Sequence, residues 1–361
     1  MRDINEQGNR KRKYDALLIV SFGGPEKGDD VLPFLENVTR GRGIPRQRLL
    51  EVAEHYYRFG GKSPINDQCR ALIAALQAEL DRCGIQLPVY WGNRNWHPLL
   101  PDTLSRMRDA GIRHALAFVT SAYSSYSGCR QYRENIAAAQ AEVGEGAPAV
   151  DKLRAFYNHP GFIEASADKL RNALSRFTPD TNGEVRLVFT AHSIPCSMSE
   201  TSPYVAQLRE TSRLVGESAG ISQWDLVFQS RSGPPTQPWL GPDILDHLRE
   251  LHFAGIRKVV VAPVGFISDH LEVLYDLDTE AADLARELGM DLVRAETVGT
   301  HPAFMEMIVQ LIAERLSPAG PKLAIGAFSP NHDVCPAGCC PPPRKAGKPP
   351  ASEVPSALPR P

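Results

Sequence analysis

The sequence predicts an α/β fold of two doubly wound, Rossmann-like domains with parallel sheets and a functional cleft between them. Three observations predict it. Short, continuous apolar runs rich in β-branched residues alternate with stretches of helical periodicity. This alternation occurs in two successive halves of the 361-residue chain. Polar, aromatic and glycine residues follow directly on the apolar runs. Unbroken apolar runs suit parallel strands covered on both faces, and strand–helix alternation is the pattern of α/β sheets.

The first run, 16–20, leads into Ser21-Phe22-Gly23-Gly24-Pro25, a strand followed by a glycine turn. Runs at 87–90, 115–120, 185–190, 225–228 and 258–264 read the same way. Between them, Leu72, Ile73, Leu76 and Leu80 recur at helical spacing, as do Phe162, Ile163, Ala167, Leu170, Leu174 and Phe177. The expected organisation is a flexible tail over 1–13, a first domain over 14–150 and a second over 151–320. A cysteine-rich metal-binding segment (321–340) and a disordered Pro-rich tail (341–361) complete it. No sequence repeat relates the halves, although their elements come in a similar order.

Composition excludes several classes. The chain is 42% hydrophobic with a formal charge of −2, so it has a real core and no basic stripe for nucleic acid. No stretch approaches the roughly 20 apolar residues that span a bilayer. The N-terminus lacks an apolar signal region, and its Arg10-Lys11-Arg12-Lys13 run reads as a solvated tail, with attraction to an anionic membrane surface as the alternative. Seven cysteines, four of them scattered singly, do not form a secreted disulfide framework, which places the chain in a reducing cytoplasm.

In doubly wound sheets the functional residues gather beyond the carboxyl ends of the strands. His192 stands there, after the run 185–190. It is read either as a satisfied structural histidine or as a proton acceptor or metal ligand. After the run 258–264 comes Ser268-Asp269-His270-Leu271-Glu272, continuing to Asp276 and Glu280. A helix beginning near Asp269 would set Glu272, Asp276 and Glu280 on one face at i, i+4 and i+8, with no Lys or Arg in the segment to compensate them. Such a face is either a solvated acidic surface or a carboxylate ladder for divalent cations or protons. No phosphate-binding glycine loop, nucleophile elbow or His-Glu-x-x-His motif is present, which argues against a nucleotide cofactor.

Taken in order, six segments resemble the ferrochelatase family. They are Ser21-Phe22-Gly23-Gly24-Pro25, 59–66 (Phe-Gly-Gly-Lys-Ser-Pro-Ile-Asn), Thr190-Ala191-His192-Ser193-Ile194-Pro195, 229–235 (Gln-Ser-Arg-Ser-Gly-Pro-Pro), 238–242 (Pro-Trp-Leu-Gly-Pro) and 265–272 (Gly-Phe-Ile-Ser-Asp-His-Leu-Glu). The resemblance covers about 14–314. The segment around Arg40 and Arg42, with 90–96, is similar to the actinobacterial, coproporphyrin-using branch. The resemblance implies a chelatase-type fold and insertion of Fe2+ into a porphyrin, with coproporphyrin III ahead of protoporphyrin IX. It implies His192 as iron ligand or pyrrole-proton acceptor, Glu272 facing it across the porphyrin plane, and Asp276 and Glu280 as an acidic line leading away. Phe22, Arg40, Ser63, Tyr123, Tyr126 and Trp239 are the implied porphyrin contacts. Phe22 stands where bacillus-type members carry a tyrosine, so no phenolate ligand exists there. Transient contacts with other enzymes of haem biosynthesis are the implied protein partners.

Cys335, Cys339 and Cys340 fall within six residues, with Pro and Gly between, the spacing of a metal-binding loop. Some members of the resembled family carry a [2Fe–2S] cluster at this end, which takes four thiolates. The position that supplies the fourth ligand in animal members aligns with Ala165, a departure from that pattern. The fourth ligand then comes from Cys69, Cys83, Cys129, Cys196 or His332, with Cys129 favoured and Cys69 assigned to the core. Zinc held by three thiols and a histidine is the rival, and unligated thiols are the plain alternative. Rival readings of the whole chain are a cobalt or sirohydrochlorin chelatase of similar fold and a non-enzymatic porphyrin carrier. The carrier would not need the acidic line.

Overall fold

The structure, a computed structural model, describes residues 14–177, 185–233, 236–317 and 320–343. The expected tail over 1–13, residues 344–361 of the Pro-rich tail, and Pro234-Pro235 lie outside the described residues.

Eight strands are present among the described residues: β1 (Ala16–Ser21), β2 (Val89–Asn93), β3 (His114–Val119), β4 (Ala149–Lys152), β5 (Val185–His192), β6 (Trp224–Gln229), β7 (Lys258–Ala262) and β8 (Asp291–Arg294). They form two all-parallel sheets, ordered β2-β1-β3-β4 and β6-β5-β7-β8. The two orders are the same, so the halves repeat in topology without repeating in sequence. In each sheet the first strand is central and the chain crosses from one side of it to the other. The switch points lie between β1 and β3 and between β5 and β7, and the crevices beyond them are the places to look for a site.

The apolar runs are buried on both faces because helices cover both sides. In β1, Leu17 and Ile19 enter one core, while Ala16, Leu18 and Val20 enter another. Each fully buried Leu, Ile or Val stabilises by about 1.5–3 kcal/mol. The first of these cores continues across the halves, from Leu17, Ile19 and Phe118 to Leu187, Phe189 and Phe304. The closing helix Pro302–Leu316 packs on the helix Pro160–Leu174 and also on Ile65–Arg82 of the first half. The two sheets therefore share one continuous core.

Two expectations need correction. The edge strands β4 and β8 were not anticipated, because their sequences, Ala-Val-Asp-Lys and Asp-Leu-Val-Arg, are short, polar and half-exposed. A boundary at 150/151 would cut β4, which pairs with β3; the first sheet ends after Lys152.

Candidate active site

His192 is the last residue of β5, in register with Gln229, the last residue of β6. Its Nδ1 lies 2.5 Å from the Ser193 carbonyl oxygen. A carbonyl only accepts, so Nδ1 carries a proton, and Nε2 is the ring atom left facing the cleft. That Nε2 lies 3.6 Å from Glu272 Oε2, and His270 Nε2 lies 3.3 Å from the same oxygen. Burial pushes the Glu272 carboxyl up, but the charges of His192 and His270 and the His270 hydrogen bond outweigh it and hold the group at about 2. An ionised carboxylate thus faces the Nε2 edge of the imidazole, and a proton or a metal cation held between the two would be shared by both.

The loop after β7 brings Glu272 there. Gly265 N–H donates to Thr190 O at 3.0 Å, and a Cβ on Gly265 would meet Ala191 Cα at 2.5 Å. Only glycine lets the loop pass this close to the strand that carries His192. Across the cleft, Gln68 clamps the same loop. Its Nε2 donates to Asp269 O (2.7 Å) and its Oε1 accepts from Asp269 N–H (2.8 Å). His55 stacks on Tyr275 at 3.8 Å between centroids.

The acidic segment is not a plain α-helix. A helix over Leu271–Tyr275 passes into a π-helical turn over Asp276–Ala281 and then a helix over Ala282–Glu287. In an α-helix, successive i+4 positions drift by ~40° around the axis. The wider i→i+5 turn removes much of that drift and holds the acidic residues in line. Burial, with the charges of Glu272 and Glu280, pushes the Asp276 carboxyl up to about 7, against the Ser230 hydroxyl and the Gln229 amide. Glu280 is raised as well, first by burial. Counter-charge for the segment comes from outside it: Arg294 pairs with Asp278 (2.5 Å) and Asp269 (3.0 Å).

The structure brings His192, Glu272 and Asp276 together. His192 and Glu272 lie 3.6 Å apart, closer than the about 7 Å that a ring in van der Waals contact with both would need between them. Tyr123 is corrected. It is buried, and its hydroxyl donates to Val264 O at 2.7 Å, sealing the loop after β3 to the loop after β7. Ser63 is buried behind the glycine turn, its N–H donating to Pro25 O at 2.8 Å. Phe22 packs edge-on to Phe34 with Arg94 over its ring, and Arg40 is exposed beyond the helix Gly28–Val38. Tyr126 donates to Glu134 Oε2 at 3.0 Å. Trp239 lies along the His192 segment, bridged to Pro195. Sequence reading missed His270, Gln229, Ser230 and Tyr56, whose hydroxyl is pushed up by burial and by Glu272. His270 was findable, two residues before Glu272; the others converge only in three dimensions.

The segment from 320 to 343 is strapped to both halves. Arg154 Nη2 donates to Leu323 O (2.7 Å), Asn158 Nδ2 to Phe328 O (2.8 Å), and Asn331 Nδ2 to Ser124 Oγ (3.0 Å). It ends on a thiol cluster. The Sγ atoms of Cys339 and Cys340 are 3.6 Å apart, and the ligand atoms of His332, Cys335 and Cys339 lie within 4.8 Å of one another. Cys129, on the π-helical turn Tyr126–Arg130, shares a hydrogen bond with Cys335 that lowers the Cys335 thiol to about 7, with Lys152 and Arg133 aiding and burial opposing. Cys69 is buried in its helix, Cys83 caps a helix end and Cys196 starts a short helix. Ala165 is buried in the core. His332, Cys335 and Cys339 are close enough to share one metal ion, Cys129 adjoins them through Cys335 and Cys340 through Cys339, a thiol-rich donor set of the kind that holds zinc or an iron–sulfur centre.

Residues 14–316 match the family model described as Ferrochelatase. The chain is 56% identical over 328 residues to the ferrochelatase of Rhodopirellula baltica, covering 91% of this chain and 93% of that one. It is 51% identical over 345 residues to the coproporphyrin III ferrochelatase of Nocardia farcinica, covering 92% and 97%. In fold it resembles SirB from Bacillus subtilis with Fe3+, with a TM-score of 0.52, 11% identity, and coverage of 84% and 96%. With the motifs in order, the twinned parallel sheets and a family match spanning nearly the whole described chain, the protein belongs to the ferrochelatase family.

Proposed function

We propose that the chain inserts ferrous iron into coproporphyrin III, using His192 and Glu272 from one face of the ring. The facing Nε2 and Oε2 at 3.6 Å, at the crevice beyond β5 and β7, carry this reading. The substrate choice rests on the actinobacterial relatives named coproporphyrin III ferrochelatases at about 50% identity. Fe2+ exchanges water for His192 Nε2 and a Glu272 oxygen and enters the ring from that side. The two pyrrole protons that the ring gives up as the metal binds pass to the carboxylates of Glu272 and Asp276 and from there to water. Asp276 and Glu280 carry protons or incoming cations along the π-helical turn, Asp276 being poised near neutrality. Phe22, Arg40 and Trp239 border the ring, and Arg94 and Tyr56 join them. Iron stays ferrous, so turnover needs no electron donor and no nucleotide.

We assign Cys129, Cys335, Cys339 and Cys340 as the ligands of a [2Fe–2S] cluster. When bound it supplies a covalent staple between the strap and the first half, coupling metal binding to folding. The odd number of cysteines, all free, supports a cytoplasmic setting. No helix among the described residues is long and apolar enough to cross a membrane. Anaerobic protein mixed with coproporphyrin III and excess Fe2+ should form the iron porphyrin over many turnovers; formation that stops below one equivalent would make the chain a carrier instead.

A further inference from the structure

We infer that Ser230 is a positioning residue for iron insertion, held in a strained backbone so that its hydroxyl fixes the Asp276 carboxylate beside Glu272. The inference rests on the iron-insertion reading of the same site.

Among the described residues only Ser230 (φ 60°) and Cys340 (φ 49°) adopt positive φ without being glycine. The left-handed region is unfavourable for any residue with a Cβ, and glycine would fill it without strain. A serine there needs a use for its side chain, because strained positions persist where the surroundings over-determine them. The use is visible: Ser230 Oγ donates to Asp276 Oδ2 in a short hydrogen bond. Gln229, the residue before it, donates from Nε2 to the same Oδ2 and to the Glu272 carbonyl oxygen, both at 3.3 Å. Gln229 is the register partner of His192. The end of β6 therefore ties the strand bearing His192 to the turn bearing both carboxylates. Gln229 Oε1 is buried without a hydrogen-bond partner among the described residues, so the amide is oriented for its donor end at some cost.

The hydroxyl acts on Asp276 alone. With Oδ2 held by both the Ser230 hydroxyl and the Gln229 amide, Asp276 is stopped from swinging away. The carboxylate is thus presented in one orientation before iron arrives. Such outer partners set the orientation of the groups that ligate a metal.

Ser230→Gly separates positioning from folding, since it deletes the hydroxyl while removing the strain. We expect its melting temperature to stay level or rise by about 2 °C. We expect kcat to fall and KM for Fe2+ to rise, about tenfold in kcat/KM, with KM for porphyrin unchanged. Ser230→Asn, which tolerates left-handed backbone and keeps a donor, should recover part of the loss. The wild-type rate measured alongside tests the iron-insertion reading separately. Against an active wild type, a Ser230→Gly enzyme with unchanged kcat/KM for iron overturns the inference. So does one whose loss comes with a lower melting temperature and weaker porphyrin binding, because that is a structural role.

Discussion

Arg154 and Glu314 offer a sharp test of how the strap is held. Arg154 follows β4, and Glu314 lies on the closing helix Pro302–Leu316. The two form a bidentate pair at 2.7 and 2.8 Å, with side chains only 1% and 5% exposed. Replacing Arg154 by Met leaves the Glu314 carboxylate buried with no cation, and breaking a buried pair in this way costs about 3–5 kcal/mol. Replacing both, as Arg154→Met with Glu314→Leu, removes the stranded charge, and the double variant should recover most of that loss. Urea midpoints of wild type, Arg154→Met, Glu314→Leu and the double variant, converted with a common slope, give the coupling. Leu323 O loses its donor in both the single and the double variant. Metal retention at the thiol cluster should therefore fall in both, even where stability returns. A single variant that loses less than about 1 kcal/mol, or a double variant no better than the single, would refute the reasoning.

Other predictions follow from the same geometry. His159 is fully buried, its Nδ1 accepting from Gly161 N–H, and burial and then the Arg154 charge lower its pKa to about 3. The unfolded chain binds this proton near 6.5 and the folded chain does not, so stability is lost as pH falls through that window, by about 2 kcal/mol at pH 5. His159→Asn should flatten that acid slope in urea midpoints taken from pH 7 to pH 5; an unchanged slope counts against it. Cys339→Ser should strip the cluster's colour and lower the melting temperature, and Cys129→Ser should do the same. Elemental analysis showing one zinc and no acid-labile sulfide would reassign the thiols and His332. Glu272→Gln should lower turnover far more than Glu280→Gln in steady-state assays, because Glu280 lies two turns from His192; equal losses would argue against an ordered path.

How far the sequence announces this structure depends on where each contact lies. The six unbroken apolar runs declare six strands, since parallel strands covered on both sides leave a continuous hydrophobic record. β4 and β8 leave none, because at four residues each, with no buried position, they tolerate Asp, Lys and Arg. His192, Glu272 and Asp276 were legible from their places after strands and from the i, i+4 spacing. The π-helical turn was not, because a one-residue widening changes the angle and not the pattern. Glu272's place 3.6 Å from His192 is set by the loop that Gly265 lets past β5 and Gln68 clamps, a tertiary matter. The meeting of Cys129 with the terminal thiols is another, since more than 200 positions separate Cys129 and Cys335. Tyr123 misled because an aromatic just beyond a strand suits a cleft wall as well as a buried seam. Its single hydrogen bond to Val264 O decides for the seam.

His192 is proposed to serve metallation without being needed to hold the ring. The most direct measurement compares wild type and His192→Ala anaerobically, with coproporphyrin affinity read by fluorescence quenching and iron insertion read from the metalloporphyrin spectrum. Porphyrin affinity is expected within a few-fold of wild type and turnover lower by at least about 100-fold, since losing even an outer partner of a metal ligand costs about 10–100-fold. Turnover within a few-fold of wild type, with porphyrin still bound, would contradict that role.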